Sequence, residues 1–279
     1  MAKEGDSLST TEQLHQQDLE RLKSLKYMDD DFMTVCLADN HEGVELILRI
    51  VLGRDDIIIK SVHTQELLKN LQGRSAILDV HAIDSARKEF DVEIQRSDAG
   101  AGAKRARHNS SLLDAHLLKP GDDTEDIPES YVIFITENDV MGKNQAVYDI
   151  QRYVETSEGK ELFGDGSHIM YVNGKYKGND EIGKLMHDFS CSNPDDMNYE
   201  ELAKKARYYK QDEKGVATMC KIMEDMRNEA AQQAEQNKAK KMAIRMIKAG
   251  KMPLEDIADY TELSLDTIKE LASQSMQLA

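Results

Sequence analysis

The stretch from Ala76 to Gln95, AILDVHAIDSARKEFDVEIQ, constrains this chain more than any other. Leu78, Val80 and Ala82 alternate with Asp79 and His81, and Phe90, Val92 and Ile94 alternate with Glu89, Asp91, Glu93 and Gln95. A period of two over both segments predicts half-buried strands. The polar Ser85-Ala86-Arg87 between them suits a hairpin connection. If Asp84 sits opposite Lys88, Val80 faces Val92 on the apolar side and Asp79 faces Glu93 on the polar side. Like charges so opposed, with Cβ atoms about 4.5 to 5.5 Å apart, are destabilising. Two readings stay open. A hard divalent cation such as Mg²⁺, which takes carboxylate oxygens together with waters, would relieve the repulsion, with Gln95 on the same face; or the hairpin presents a solvated acidic surface and nothing more.

Asp79, followed across the hairpin by Glu93-Ile94-Gln95, resembles motifs II and III of the PD-(D/E)xK nucleases in a Glu-x-Gln variant. The wider phrases Leu46 to Gly53, Gly73 to Gln95, Lys104 to His108 and Tyr131 to Thr136 resemble the recombination-promoting nucleases, often labelled PD-(D/E)xK family transposases. The likeness runs from about Phe32 to the C-terminus. It implies an α/β, restriction-endonuclease-like fold with an αβββαβ core and a helical C-terminal extension. It also implies a metal-dependent DNA endonuclease, linked to recombination or mobile elements. Asp79, Glu93 and Gln95 are then the catalytic set, and Asp79, Glu93 and the backbone carbonyl of Ile94 hold Mg²⁺, with Mn²⁺ as a substitute.

Such enzymes often add an acidic residue from the first core helix, which makes Glu42 and Glu45 candidates; exposed helix carboxylates would read the same way. Gln95 stands where the family more commonly has lysine. Its amide can orient a water but cannot titrate or bring positive charge. A catalytically weak or inactive module that binds DNA or another partner is therefore the alternative.

A formal net charge of -16 argues against non-specific affinity for nucleic acid, which rests on Lys and Arg neutralising phosphates. Basic residues must be concentrated locally. In a predicted helix from Lys104 to Leu118, Lys104, Arg107, His108 and Ser111 share one side and Ala106, Leu113 and Leu117 another. The resemblance implies phosphate contact by Arg105 and Arg107, beside Lys104; His108 stands where comparable members often have tyrosine. Lys238 to Lys251 holds six basic and no acidic residues, a helix face able to grip DNA or a partner. Cys36, Cys191 and Cys220 are isolated, without a CxxC pair, which fits a reducing cytoplasm and no zinc site. Neither an export signal nor a membrane span is expected.

The chain reads as a tail over 1–26, a nuclease domain over 27–195 and a helical region over 196–279. Asp29 to Asp31 fall at a helix start or in a loop. The expected elements are a helix from His41 to Leu52 capped by Gly53, a strand from Asp56 to Val62, and a short helix or turn from Gln65 to Leu71 before Gly73. After the hairpin come a connector, Asp98 to Ala103, the helix ended by Pro120-Gly121, and a buried strand from Tyr131 to Thr136. A helix from Asn144 to Glu155, a strand from His168 to Val172 and a helix from Asp180 to Phe189 follow. Two or more helices occupy 198–250. Pro253 to Tyr260 and Ser264 to Ala272 form a helix-turn-helix-like tail whose acidic surface suits packing or homo-oligomerisation rather than base reading.

Overall fold

The computed structural model describes residues 10–68, 76–96, 98–118 and 121–277, and the chain divides into two compact units, Met1–Val216 and Ala217–Ala279. The first opens with helices α1 (Thr10–Ser24), α2 (Asp30–Leu37) and α3 (His41–Leu52). Leu22 and Leu25 are buried, so the lead-in segment carries a packed helix from residue 10 onward. The bounds of α3 follow from its ends. Asn40 Oδ1 accepts the N–H of Gly43 at 3.0 Å, and Gly53, at φ 61°, takes the left-handed conformation that closes the helix. Val44, Ile47, Leu48 and Val51 are buried along one stripe.

Strand β1 covers Ile59–Leu68, so residues 65–68, expected as a helix or turn, belong to a strand instead. The reason is tertiary: β1 pairs with β2 (Ala76–Asp84) as far as Leu68 opposite Ala76, and ladder pairing outweighs the helix-forming tendency of Glu66-Leu67-Leu68. Residues 69–71, Gly73 and Pro120 lie outside the described residues. Then follow β3 (Glu89–Gln95), α4 (Ala103–Leu117) and β4 (Ser130–Thr136), completing the αβββαβ order. Every residue of β4 is buried, as a central strand requires.

The expected helix from Asn144 to Glu155 is instead two strands, β5 (Val147–Ile150) and β6 (Tyr153–Thr156). Asn144 has φ 55°, which is incompatible with a helix start there, and Val147, Tyr148, Ile150, Tyr153 and Val154 suit a sheet. β6 pairs with β7 (Gly159–Leu162) in a separate ribbon, and β5 pairs antiparallel with β8 (Ser167–Asn173). The main sheet has six strands in the order β1-β2-β3-β4-β8-β5, with β3, β4 and β8 mutually parallel. Helices α5 (Glu181–Ser190) and α6 (Glu200–Gln211) pack on α2 and α3.

The hairpin is not half-exposed. α4 lies over the sheet, its Ala106 and Leu113 packed in one cluster with Val132, Phe134 and Tyr171. Because neighbouring parallel positions share a face, Asp91 and Glu93, beside Val132 and Phe134, are under the same helix. Of the two readings left open, the solvated acidic surface is not what is found, because that face of the hairpin is buried.

The second unit comprises most of α7 (Glu213–Ala249), with α8 (Leu254–Thr261) and α9 (Leu265–Gln277). At 37 residues α7 is about 55 Å long. Ala243 packs with Ile257, Ala258 and Ile268, the two short helices turning at Glu262 with φ 55°. Ser264 Oγ accepts the N–H of Thr267 at 3.2 Å, an N-cap for α9. Among the described residues no helix is long and apolar enough to cross a membrane.

Candidate active site

The turn sets the register. Asp84 Oδ1 accepts the N–H groups of Ala86 and Lys88, Arg87 takes φ 64°, and the Asp84 N–H donates to the Lys88 carbonyl at 3.1 Å. The rungs that follow are Ile83–Glu89, Ala82–Phe90, His81–Asp91 and Val80–Val92, the register expected from the alternation. At the next step Asp79 enters with its side chain: Oδ2 accepts the N–H of Ile94 at 3.1 Å. On the other side Gln65 has φ 55° between the rungs Thr64–Val80 and Glu66–Leu78. Asp79 is therefore turned toward β3 at a local irregularity of the ladder.

Glu93 is fully buried, and its two oxygens differ sharply. Oε2 lies 2.5 Å from Arg105 Nη2, whereas Oε1 has no hydrogen-bond partner. Arg105 reaches inward from α4, donates through Nη1 to the Gly100 carbonyl at 3.3 Å and lies 5.8 Å from the Phe134 ring centre. Asp91, also fully buried, accepts from Asn109 Nδ2 at 3.4 Å through Oδ2 while Oδ1 is unpartnered.

Three carboxylates thus share one guanidinium. Burial, then the charges of Glu93 and Asp30, push Asp79 up to about 8 against the opposing Ile94 amide and Arg105. Burial also raises Glu93, although Arg105 and the Asp79 amide hold it back. Asp91 is raised well above the usual carboxylate range by burial, Glu93 and Asp79.

Gln95 belongs to the same end of β3. A side chain at position 100 would collide with its Oε1, so the bare Gly100 backbone makes the space in which the amide sits, with Arg105 alongside. The Ile94 N–H is held by Asp79 Oδ2 at this end of β3.

Glu45 is not brought to the pair. Its Oε2 accepts the Ile59 N–H at 2.9 Å and its Oε1 lies 2.7 Å from Arg49, fastening α3 to β1, and Glu42 is exposed. The acid that α2 does supply is Asp30, whose charge acts on both Asp79 and Glu93 and whose own pKa is raised by burial and by Asp31. Its signal in the sequence was the acidic run Asp29 to Asp31 just before an apolar helix. Lys104 and Arg107 are exposed on α4, but Arg105, expected among the phosphate contacts, is committed to Glu93.

Beside the site, His81 is held between two carboxylates, Nδ1 at 2.6 Å from Glu66 and Nε2 at 2.6 Å from Glu89. Burial opposes its protonation, but the bonds to Glu89 and Glu66 outweigh it and raise its pKa. Two acceptors on one imidazole call for both ring nitrogens to donate.

Among the described residues no group of three or more His, Cys, Asp or Glu side chains is arranged to hold a metal ion. Asp79 and Glu93 fit one on narrower ground. Glu93 Oε1 is a buried carboxylate oxygen without a donor, and Mg²⁺ keeps several waters and needs only one or two carboxylates.

Comparison with known families matches residues 45–184 to the PD-(D/E)XK nuclease family transposases, a span that includes the hairpin, α4 and the rest of the main sheet. No curated protein and no solved structure matches.

Proposed function

Because this chain belongs to the PD-(D/E)XK nuclease family transposases, we propose that it is a metal-dependent DNA endonuclease, acting in recombination or on mobile elements. One observation carries the reading: Glu93 buries an oxygen with no partner beside a second carboxylate whose pKa is raised, an arrangement that a cation would relieve.

Asp79 and Glu93 would hold Mg²⁺ or Mn²⁺. Such an ion, when bound, polarises a phosphoryl oxygen and lowers the pKa of a coordinated water. The chain's own contributions are positional. The Ile94 N–H fixes the direction of the Asp79 carboxylate, and Arg105 fixes that of Glu93. Gln95, seated against Gly100, orients a water by hydrogen bonding without taking its proton, and exposed Lys104 and Arg107 supply charge for phosphates. Three free cysteines support a cytoplasmic setting.

The test is purified protein with supercoiled plasmid. Nicking or cutting is expected with Mg²⁺ or Mn²⁺, and its loss with EDTA, Asp79→Ala or Glu93→Ala. Folded protein that fails to cut with every divalent ion tried supports the second reading, a DNA-binding module without catalysis. The glutamine at position 95, in place of a titrating group, favours that reading.

A further inference from the structure

The two units differ in charge. Met1–Val216 carry 27 Lys and Arg against 42 Asp and Glu, while Ala217–Ala279 carry nine against ten. A catalytic unit so acidic repels a polyanion, and one of the cations expected to counter this, Arg105, is spent on Glu93. If the chain works on DNA, most of its phosphate affinity must come from another surface.

That surface is on α7. Lys238, Lys241, Arg245 and Lys248 are spaced by three, four and three residues, so they share one side of the helix over about 15 Å. The side they share is opposite Ala243, which is fully buried against α8 and α9. All four are exposed, and among the described residues none enters an ion pair. No acidic residue occurs between Lys238 and Lys251. Met242, 41% exposed, lies in the same open groove as Lys238, Lys241 and Arg245, giving apolar surface between the charges.

We propose that this face of α7 is a clamp for the DNA backbone, sequence-independent, that supplies the affinity the nuclease unit lacks. The inference rests on the nuclease reading for its choice of polyanion. Phosphates suit it because four unpaired cations in a row, with no acidic residue between them, gain from counterion release on a regularly charged polymer. The rival occupant is the acidic α8–α9 surface of a second copy.

The experiment is fluorescence anisotropy of full-length protein on a short labelled duplex in EDTA, where no cleavage can occur, across a salt series. Replacing Lys238, Lys241, Arg245 and Lys248 together by Ala should weaken binding at least tenfold at about 0.1 M salt. It should also make the slope of log Kobs against log salt shallower by about 3 to 4. Circular dichroism should be unchanged. A variant that keeps the charges, with Lys238→Arg, Lys241→Arg, Arg245→Lys and Lys248→Arg, should bind like wild type.

Unchanged affinity and slope in the Ala variant overturn the clamp, as does a wild type that does not bind at about 50 mM salt. So does a salt-sensitive dimer that the four Ala substitutions dissociate without touching DNA affinity. If no metal yields cleavage yet binding follows the four cations, the clamp stands and the nuclease reading falls. If plasmid is cut and the Ala variant binds as before, only the clamp falls.

Discussion

Arg105 Nη2 stands 2.5 Å from Glu93 Oε2, among the described residues the one cation paired directly with a carboxylate whose close neighbours, Asp79 and Asp91, carry the same sign. It ties α4 to β3 and occupies, in charge terms, part of the role assigned to the metal. Breaking a fully buried pair costs about 3 to 5 kcal/mol. Since the Arg105 side chain is 39% exposed, Arg105→Ala should cost less, about 2 kcal/mol in urea unfolding without metal. Arg105→Lys should recover only part of that, because one ammonium cannot reach both Glu93 and the Gly100 carbonyl as the forked guanidinium does. Mn²⁺ should stabilise the Ala variant more than wild type; equal stabilisation would count against a shared electrostatic role.

The carboxyl of Asp79, pushed up to about 8, gives the metal-free protein a definite pH dependence. Between the ordinary carboxylate value near 4, which applies to the unfolded chain, and about 8, the folded state binds the extra proton. Stability contributed by this group is present at low pH and declines as pH rises through that window. Asp79→Asn removes the decline. In EDTA at pH 8 its melting temperature should exceed that of wild type, with the gap closing toward pH 4. Parallel melting curves across the window would show that Asp79 ionises normally.

Gly100 touches Gln95 rather than the metal pair, so it separates catalysis from folding. In Gly100→Ala the new methyl displaces the far end of a flexible side chain, which moves cheaply. Cleavage should fall about 10- to 100-fold, the usual consequence of misplacing a reacting or orienting group by an ångström. The urea midpoint should hardly change. A loss of stability with full activity per folded molecule would place the role of Gly100 in the fold instead.

Asp30 and Glu45 offer a direct contrast between two helix carboxylates. Asp30→Asn should weaken cleavage about tenfold, since its charge acts on both Asp79 and Glu93. Glu45→Gln, whose native carboxylate is already bound to Ile59 and Arg49, should leave the turnover of folded enzyme within about twofold. Steady-state plasmid assays on the two variants decide the matter, and the reverse order of effects would restore Glu45 as the site's third acid.

What was legible in the sequence was local. With Asp84 set opposite Lys88, the alternation on both sides of Ser85-Ala86-Arg87 gives the rungs observed from Ile83–Glu89 to Val80–Val92. The direct opposition of Asp79 and Glu93 that it also implied is replaced by the bond from Asp79 to the Ile94 N–H. The capping pattern at Asn40 and Gly53 and the apolar run of β4 were readable for the same reason, because each is specified by residues near in sequence. Burial of the polar face was not readable, since it depends on α4 folding back over the sheet. The inward turn of Arg105 follows from the same packing: from spacing alone it looks like any cation of a basic helix. Gln65 to Leu68 differ from the expected helix or turn because pairing with β2 overrides local helix tendency, whereas in Asn144 to Glu155 the β-branched and aromatic residues favour the strands that pair with β8 and β7. Asp30 acts on the pair through its charge from another helix, and although the acidic run Asp29 to Asp31 was visible, its spacing does not tie it to the hairpin.

The most direct measurement is Mn²⁺ binding, followed by electron paramagnetic resonance of the free ion over full-length wild type, Asp79→Asn, Glu93→Gln and the double variant. Saturable binding by wild type that weakens at least tenfold in each single variant, with a loss in the double variant smaller than the two single losses combined, is what a cation shared by both side chains predicts. Binding that survives undiminished in the double variant would contradict it.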